Sequence, residues 1–228
     1  MSKTIVIAGY GPGISKAVAT KFGKEGYTCA LVARNAERLA AGVDELGKGG
    51  VTAHAFPADL GSATAVRDVI GTIHGKLGAI GAVHWNAYSG AAGDLVAAST
   101  EELTAAIGVA TTSLVAAVQA ALADLKATKG AVLVTNGGLG FFDEQVDKMG
   151  VAWNCMGLSI ANSAKHKLCA LLAQKLAPDG IYVGDIMVTG TVKGSAFEQQ
   201  NNGTIDPAHV AQTFWDLAHA RKAHTATI

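Results

Sequence analysis

The residues with the most chemical content lie near the start of the chain. Gly9-Tyr10-Gly11-Pro12-Gly13-Ile14-Ser15 follows directly on the apolar run Thr4-Ile5-Val6-Ile7-Ala8. Lacking a Cβ, Gly9 allows a tight exit from a strand, and Gly13 can open a helix whose first amides stay free. Those amides, at the positive end of the helix dipole, are a ready site for a pyrophosphate. Ser15 is small enough to pack between helix and sheet, while Pro12 stiffens the turn and offers no amide. A second apolar strand then closes on Arg34-Asn35, and no acid occurs before Glu37. An acid there would accept both hydroxyls of an adenine ribose and favour NAD(H). A guanidinium instead holds a 2′-phosphate through two charge-assisted bonds. The expected cofactor is therefore NADP(H) rather than NAD(H), held by Gly9, Tyr10, Gly11, Gly13, Ile14, Arg34 and Asn35. The plainer reading is a glycine-rich connection and an exposed arginine at a strand end.

Other chemistries find little support. His54, His74, His84, His166, His209, His219 and His224 are scattered without metal-ligand spacing, so no metal site is expected. No Gly-x-Ser-x-Gly elbow is present, and Cys155 has no evident His partner.

These residues need a scaffold of alternating strands and helices. Apolar runs predict strands near 3–9, 28–33, 51–57, 80–86, 130–136 and 181–188, with a closing strand possible at 224–228. Helical patterns fall near 13–25, 35–47, 62–77, 100–127, 152–177 and 207–220. Ser99-Thr100-Glu101-Glu102 and Asp206-Pro207 read as helix starts, and Gly49-Gly50 and Pro178-Asp179-Gly180 as stops. This order predicts an α/β fold: one Rossmann-type doubly wound domain over residues 1–228, with a mostly parallel sheet of six or seven strands and helices on both faces. Residues 190–205, with Gln199-Gln200-Asn201-Asn202-Gly203 in the middle, would lie over the carboxyl ends of the strands. They read either as a surface loop or as a substrate lid.

Composition agrees with that frame. The chain has 228 residues, half of them hydrophobic, with 28 Gly, which suits helices packed closely on a sheet buried on both sides. Basic and acidic residues balance at 18 each and form no basic stripe, which argues against nucleic acid as a partner. Cys29, Cys155 and Cys169 show no paired spacing, as in a reduced compartment. No signal-peptide layout and no run near the roughly 20 apolar residues of a membrane span were recognised. A cytoplasmic protein with no membrane partner is expected.

Taken in order, these residues resemble the short-chain dehydrogenase/reductase family over nearly the whole length. The resemblance rests on Gly9-x-x-x-Gly13-Ile14, on Ala58-Asp59-Leu60 after the third strand, and on Asn86-Ala87 after the fourth. It adds Asp59, Leu60, Asn86, Ala87 and Tyr88 to the expected cofactor contacts. Gly190 and Thr191 join them, in place of the family's Pro-Gly turn. It also implies a homodimer or homotetramer, with the small apolar residues of Ala105 to Ala123 in a helix-pair interface. Trp85 and Tyr88 depart from the residues that flank the family's Asn-Ala signature.

The family's chemistry uses a Ser, a Tyr, a Lys four residues later and an upstream Asn. Here the Ser position falls on Gly137, the Tyr and Lys positions on Leu158 and Asn162, and the Asn position near Ala110-Thr111. A three-residue shift recovers Lys165 but pairs it with Ala161. No Tyr occurs between Tyr88 and Tyr182, so no small shift restores a phenol. Asn136, Tyr88 and His84 remain as substitutes that could bind or protonate a substrate oxygen. Each also has an ordinary structural use, and no catalytic residue is assigned. Phe141 to Asn154 carries aromatics that could roof an apolar pocket, though core or a subunit contact fits them better. Two functions stay open: an NADP(H)-dependent oxidoreductase with a degenerate site and unknown substrate, or a catalytically silent dinucleotide-binding protein acting in sensing or assembly.

Overall fold

The computed structural model describes residues 3–228. Seven strands form one sheet: β1 (Thr4–Ala8), β2 (Thr28–Ala33), β3 (Ala53–Pro57), β4 (Ile80–Trp85), β5 (Ala131–Gly137), β6 (Tyr182–Val188) and β7 (Thr225–Thr227). Their order is β3-β2-β1-β4-β5-β6-β7, and every neighbouring pair is parallel. The expected doubly wound fold is thus present, with the closing strand included. Parallel strands must be covered on both faces, and the near-continuous apolar runs of β1, β4 and β5 meet that need.

On one face Ile5, Ile7, Leu31, Leu133 and Ile186 pack with Val18 and Phe22 of α1 (Ile14–Lys24), Leu39 of α2 (Ala36–Lys48) and Phe214 of α8 (Pro207–Ala220). On the other, Val6, Val83, Trp85, Val132 and Val134 pack with Ile70 and Ile73 of α3 (Ala63–Leu77), Leu114 of α5 (Thr112–Thr128) and Cys169 of α7 (Met156–Leu176). Capping residues start several helices. Asn35, Ser62, Asp143 and Asp206 each accept a first-turn amide, and Ser99 with Glu102 forms a reciprocal box at α4 (Thr100–Ala110).

Four expectations need correction. The helix expected at 100–127 is two helices, α4 and α5, broken at Thr111, whose hydroxyl donates back to the Ile107 carbonyl. The stretch Thr100–Thr128 also has the length and, over its most apolar part, the composition of a membrane span, contrary to the expectation that no run comes close. Its inward residues Ala106, Leu114, Ala117, Ala121 and Leu125 lie in the core of this domain. The helix expected at 152–177 is preceded by a separate α6 (Glu144–Ala152), capped by Asp143, and begins only at Met156. Finally, Phe142 and Trp153 are 95% and 62% exposed, so neither is a core residue.

Candidate functional site

The sheet order reverses between β1 and β4, and at such a switch point the loops part and leave a crevice at the carboxyl ends of the strands. Gly9 stands at this point with φ +85°, and a Cβ there would lie 2.7 Å from the Ala87 amide nitrogen and 2.8 Å from the Asn86 carbonyl carbon. Glycine is therefore required by the close approach of two backbones as well as by the turn. Asn86 ties the same corner: its amide donates to the Ala8 carbonyl at 2.8 Å and its side chain to the Gly9 carbonyl at 3.3 Å.

The turn's own amides divide into two groups. Those of Gly9 and Tyr10 donate to the Val32 carbonyl at 2.9 and 3.0 Å, and that of Gly11 donates to Ser15 Oγ at 2.9 Å. Helix α1 opens at Gly13, φ +82°, with no side chain capping it. The donors left for an anion are those of its first turn, beginning with Gly13 and Ile14. Tyr10 turns the other way. Its ring lies against Gly42 of α2, and its phenol is pushed up to about 12 by burial, then by Glu45 and Cys29.

At the end of β2, Arg34 is exposed and makes no hydrogen bond or ion pair among the described residues. Asn35 beside it is committed as the cap of α2, its Oδ1 accepting the Arg38 amide at 2.8 Å. Asp59 is exposed and holds the Gly61 amide at 3.0 Å, whereas Leu60 and Ala87 are buried at 8% exposure in the core. The side chains of Asn35, Leu60 and Ala87 are thus occupied with structure. Arg34 and Asp59 flank the crevice with atoms free toward solvent.

Residues 190–205 fold over this region. Val192 bridges Ile205, the Thr191 carbonyl accepts the amides of Thr204 and Ile205, and Glu198 holds the amides of Gly194 and Gly203 at 2.7 and 3.1 Å. A Cβ on Gly13 would stand 3.2 Å from Ser195 Cβ, so the segment rests on the glycine turn. Phe197 meets Tyr88 with ring centroids 5.1 Å apart, spanning the crevice from the β6 side to the β4 side. Gly190 is exposed, and a Cβ there would press on Thr204 and Ile205.

Deeper, between β5, β6 and α7, is a polar group that sequence reasoning did not assemble. Asp185, 1% exposed, accepts from Thr225 Oγ1 at 2.8 Å, from His166 Nδ1 at 2.6 Å and from Asn136 Nδ2 at 3.4 Å. Asn136 Nδ2 also donates to the Asn162 carbonyl at 3.2 Å, and its Oδ1 accepts the Gly137 amide at 3.0 Å. Asn136 is therefore spent on structure, and its expected use toward a substrate oxygen does not fit. Asn162 is different. It is 5% exposed, its carboxamide makes no hydrogen bond among the described residues, and its Nδ2 lies 2.7 Å from where a Gly137 Cβ would be. A serine at 137 could not coexist with this side chain as placed. One turn on, Lys165 is 3% exposed and burial holds its ammonium down to about 8, against smaller opposing effects of Cys169 and Asp185.

His84 does not serve as a proton donor. It is fully buried on the α8 face of the sheet, edge-on to Phe214, with Nε2 3.0 Å from Thr135 Oγ1. Burial holds its pKa down to about 3, so the ring is neutral. Its Nδ1 has no partner among the described residues. Tyr88 is 46% exposed, with its phenol raised by burial.

Solved structures with this fold include a metagenomic short-chain oxidoreductase in complex with NADP, 21% identical, TM-score 0.79, covering 99% of this chain and 95% of that one. L-sorbose reductase from Gluconobacter frateurii, complexed with NADPH and L-sorbose, is 19% identical with a TM-score of 0.84 and coverages of 100% and 95%. A short chain dehydrogenase from Burkholderia cenocepacia J2315 in complex with NADP is 22% identical, with a TM-score of 0.84 and coverages of 99% and 96%. At such identities the likeness speaks for the fold alone. Comparison with curated proteins gives no match. The sequence profile of the short chain dehydrogenases, however, matches residues 3–204, from the first strand through the segment that covers the glycine turn. On that match the chain belongs to the short chain dehydrogenase family.

Proposed function

We propose that this protein is an NADP(H)-dependent oxidoreductase of the cytoplasm whose hydride acceptor needs no phenol to protonate it. One observation carries the cofactor: the start of α1, which no side chain caps, lies at the switch point of the sheet on the same crevice as an arginine with no partner among the described residues. The first fits a pyrophosphate and the second a 2′-phosphate. Three relatives solved with NADP or NADPH support the same choice. Gly13 and Ile14 would hold the pyrophosphate, Arg34 the 2′-phosphate and Asp59 the adenine side. Asn86, Gly190 and Thr191 would border the nicotinamide end.

The bound coenzyme supplies a hydride. What this chain supplies is orientation and the exclusion of water, with residues 190–205 acting as the lid. By count, Gly137, Leu158 and Asn162 stand where the family has its Ser, Tyr and Lys. A positioned general acid contributes roughly 10²–10⁴ in rate, and Leu158 cannot act as one. Asn162 can still donate a hydrogen bond to an acceptor oxygen, which polarises it without transferring a proton. An activated alkene, whose enolate product water can protonate afterwards, or an iminium, which becomes a neutral amine on taking up hydride, suits such a site. The protein would work as a homodimer or homotetramer through the small apolar residues of Ala105 to Ala123, on α4 and α5.

The test is a fluorescence titration with NADPH and NADP⁺, followed by the nicotinamide absorbance with ketone, enoyl and imine panels. Turnover on the enoyl or imine class, with ketones slower, is the expected result. Tight binding with no turnover on any class would replace this reading with that of a silent binding protein.

A further inference from the structure

The coenzyme crevice lies at the carboxyl edge of the sheet, and the amino edge holds a depression of its own. Between β1 and β4 the register steps from Thr4–Ile80 to Ile5–Ala82, so Gly81 is bulged out with no partner on β1. The stem of Lys3 lies over this bare backbone, where a Cβ would stand 2.9 Å from Lys3 Cβ. Gly130 stands just before β5, and a Cβ there would be 2.6 Å from the Gly81 carbonyl oxygen. With no side chain at either glycine, a cavity of about 190 Å³ is left over the starts of β4 and β5.

Its walls are basic. Lys3, Lys129 and Arg221 line it together with Tyr27 and His219, and no carboxylate lines it among the described residues. Two acids of the neighbouring turns are committed elsewhere: Asp179 pairs with Lys126 at 3.0 Å and Glu25 with Lys21 at 2.7 Å. Arg221 bonds only to carbonyls, those of Ala218, Gly180, Lys129 and Gly130. Its guanidinium thereby covers the negative ends of α5 and α8, and no acid cancels its charge. Lys129 Nζ likewise reaches only a carbonyl, that of Asp179 at 3.4 Å. The Tyr27 hydroxyl and His219 Nε2 make no hydrogen bond among the described residues. Lys129 and Arg221 also hold left-handed backbones, φ +50° and +52°, at helix ends where glycine would be free of strain. In a chain with no net charge, three cations thus converge on one cavity without a counter-ion.

We propose that this cavity binds a small phosphate-bearing anion, at a site separate from the coenzyme crevice and independent of the oxidoreductase reading. Three cations call for a dianion, and the Tyr27 hydroxyl and His219 ring stand beside them as further hydrogen-bonding groups. At roughly 30 Å³ per water the cavity holds about six, which is room for a phosphate with a short organic group and too little for a dinucleotide. The cations are exposed, so binding is expected at millimolar concentration.

The test is calorimetry with inorganic phosphate, and separately with malonate, at one ionic strength held with chloride. One phosphate should bind per chain, more tightly than malonate. Lys129→Gly removes the ammonium and relaxes the left-handed turn. Its urea midpoint should be equal or higher, while phosphate binds roughly tenfold more weakly. Lys3→Gln, at an exposed position, should weaken phosphate similarly. Arg34→Asp, in the crevice, should leave phosphate binding unchanged. Binding lost in Arg34→Asp but kept in Lys129→Gly would place the anion in the crevice and overturn the inference. Wild-type affinity in both lysine variants, displacement by chloride alone, or tighter binding of malonate would each overturn it too. NADPH titration of the same samples keeps the two proposals apart. Phosphate binding without NADPH binding defeats the oxidoreductase reading only, and NADPH binding without phosphate binding defeats this one only.

Discussion

Arg34 and Lys165 are two cations in opposite situations, and each makes a measurable demand. Arg34 is exposed and has no partner among the described residues, which leaves its guanidinium free for the proposed bidentate bond to a 2′-phosphate. Hydrogen bonds to charged groups contribute about 1.5–3 kcal/mol. Arg34→Asp should therefore weaken NADPH by roughly 10- to 100-fold while leaving NADH nearly unchanged, as read by fluorescence titration. Equal losses for both would remove Arg34 from the phosphate site. Lys165 is buried without a hydrogen-bonding partner among the described residues, and its pKa is lowered to about 8 from 10.5. Between those values the unfolded chain binds more protons than the folded one, so stability rises with pH through that window. Below pH 8 the whole penalty is present, on the order of 3 kcal/mol by the usual conversion. Lys165→Met should then be the more stable protein in urea at pH 7, and the two curves should converge above about pH 10.5. A gap that does not change with pH would mean the methionine acts through packing alone.

The strands and most helices were readable because each carries its signal locally. Apolar runs mark the buried strands, and Ser99-x-x-Glu102 and Asp206-Pro207 announce their helices with side chains that meet the first amides. The break at Thr111 was not readable, because a threonine in an apolar helix gives no warning of which carbonyl its hydroxyl will take. Helix α6 was missed although Asp143 signals its start. Its exposed face breaks the apolar period on which the reading relied. The places of Gly9, Gly13 and Arg34 in the fold were legible because a glycine turn and a strand end each have a fixed position in a βαβ unit. The group around Asp185 was not, since it joins β5, β6, β7 and α7 over separations of 19 to 49 residues. Gly9 carries the clearest consequence for an element. A Cβ at φ +85°, pressed on the backbone of Asn86 and Ala87, must push β4 away from β1 at the crevice. Left-handed strain and overpacking each cost about 1–3 kcal/mol. Gly9→Ala should lower stability by about 3 kcal/mol or more and abolish NADPH binding. A variant that unfolds at the wild-type urea concentration would show that the corner yields more easily than its contacts suggest.

For the molecule as a whole, the crevice is an interruption in an otherwise closed core. The sheet buries both faces, yet at its carboxyl edge residues 190–205 rest on the glycine turn through Ser195 and meet Tyr88 through Phe197. A ligand that binds only the folded state stabilises it by an amount fixed by its concentration relative to Kd, about 2.7 kcal/mol at a hundredfold excess. For a domain of this size each kcal/mol raises Tm by roughly 2–4 °C. NADPH at a hundred times its Kd should thus raise Tm by roughly 5–10 °C. NADH at the same concentration, bound about 30-fold more weakly if Arg34 meets the 2′-phosphate, should stabilise by less than about 1 kcal/mol and move Tm by only a few degrees. Because residues 190–205 rest on the turn, the NADPH-bound protein should also resist proteolysis there more than elsewhere if the segment acts as the proposed lid. Identical melting shifts for the two coenzymes would refute the phosphate selection. A large NADPH shift with unchanged cleavage of the lid would mean that closure does not depend on what the turn binds.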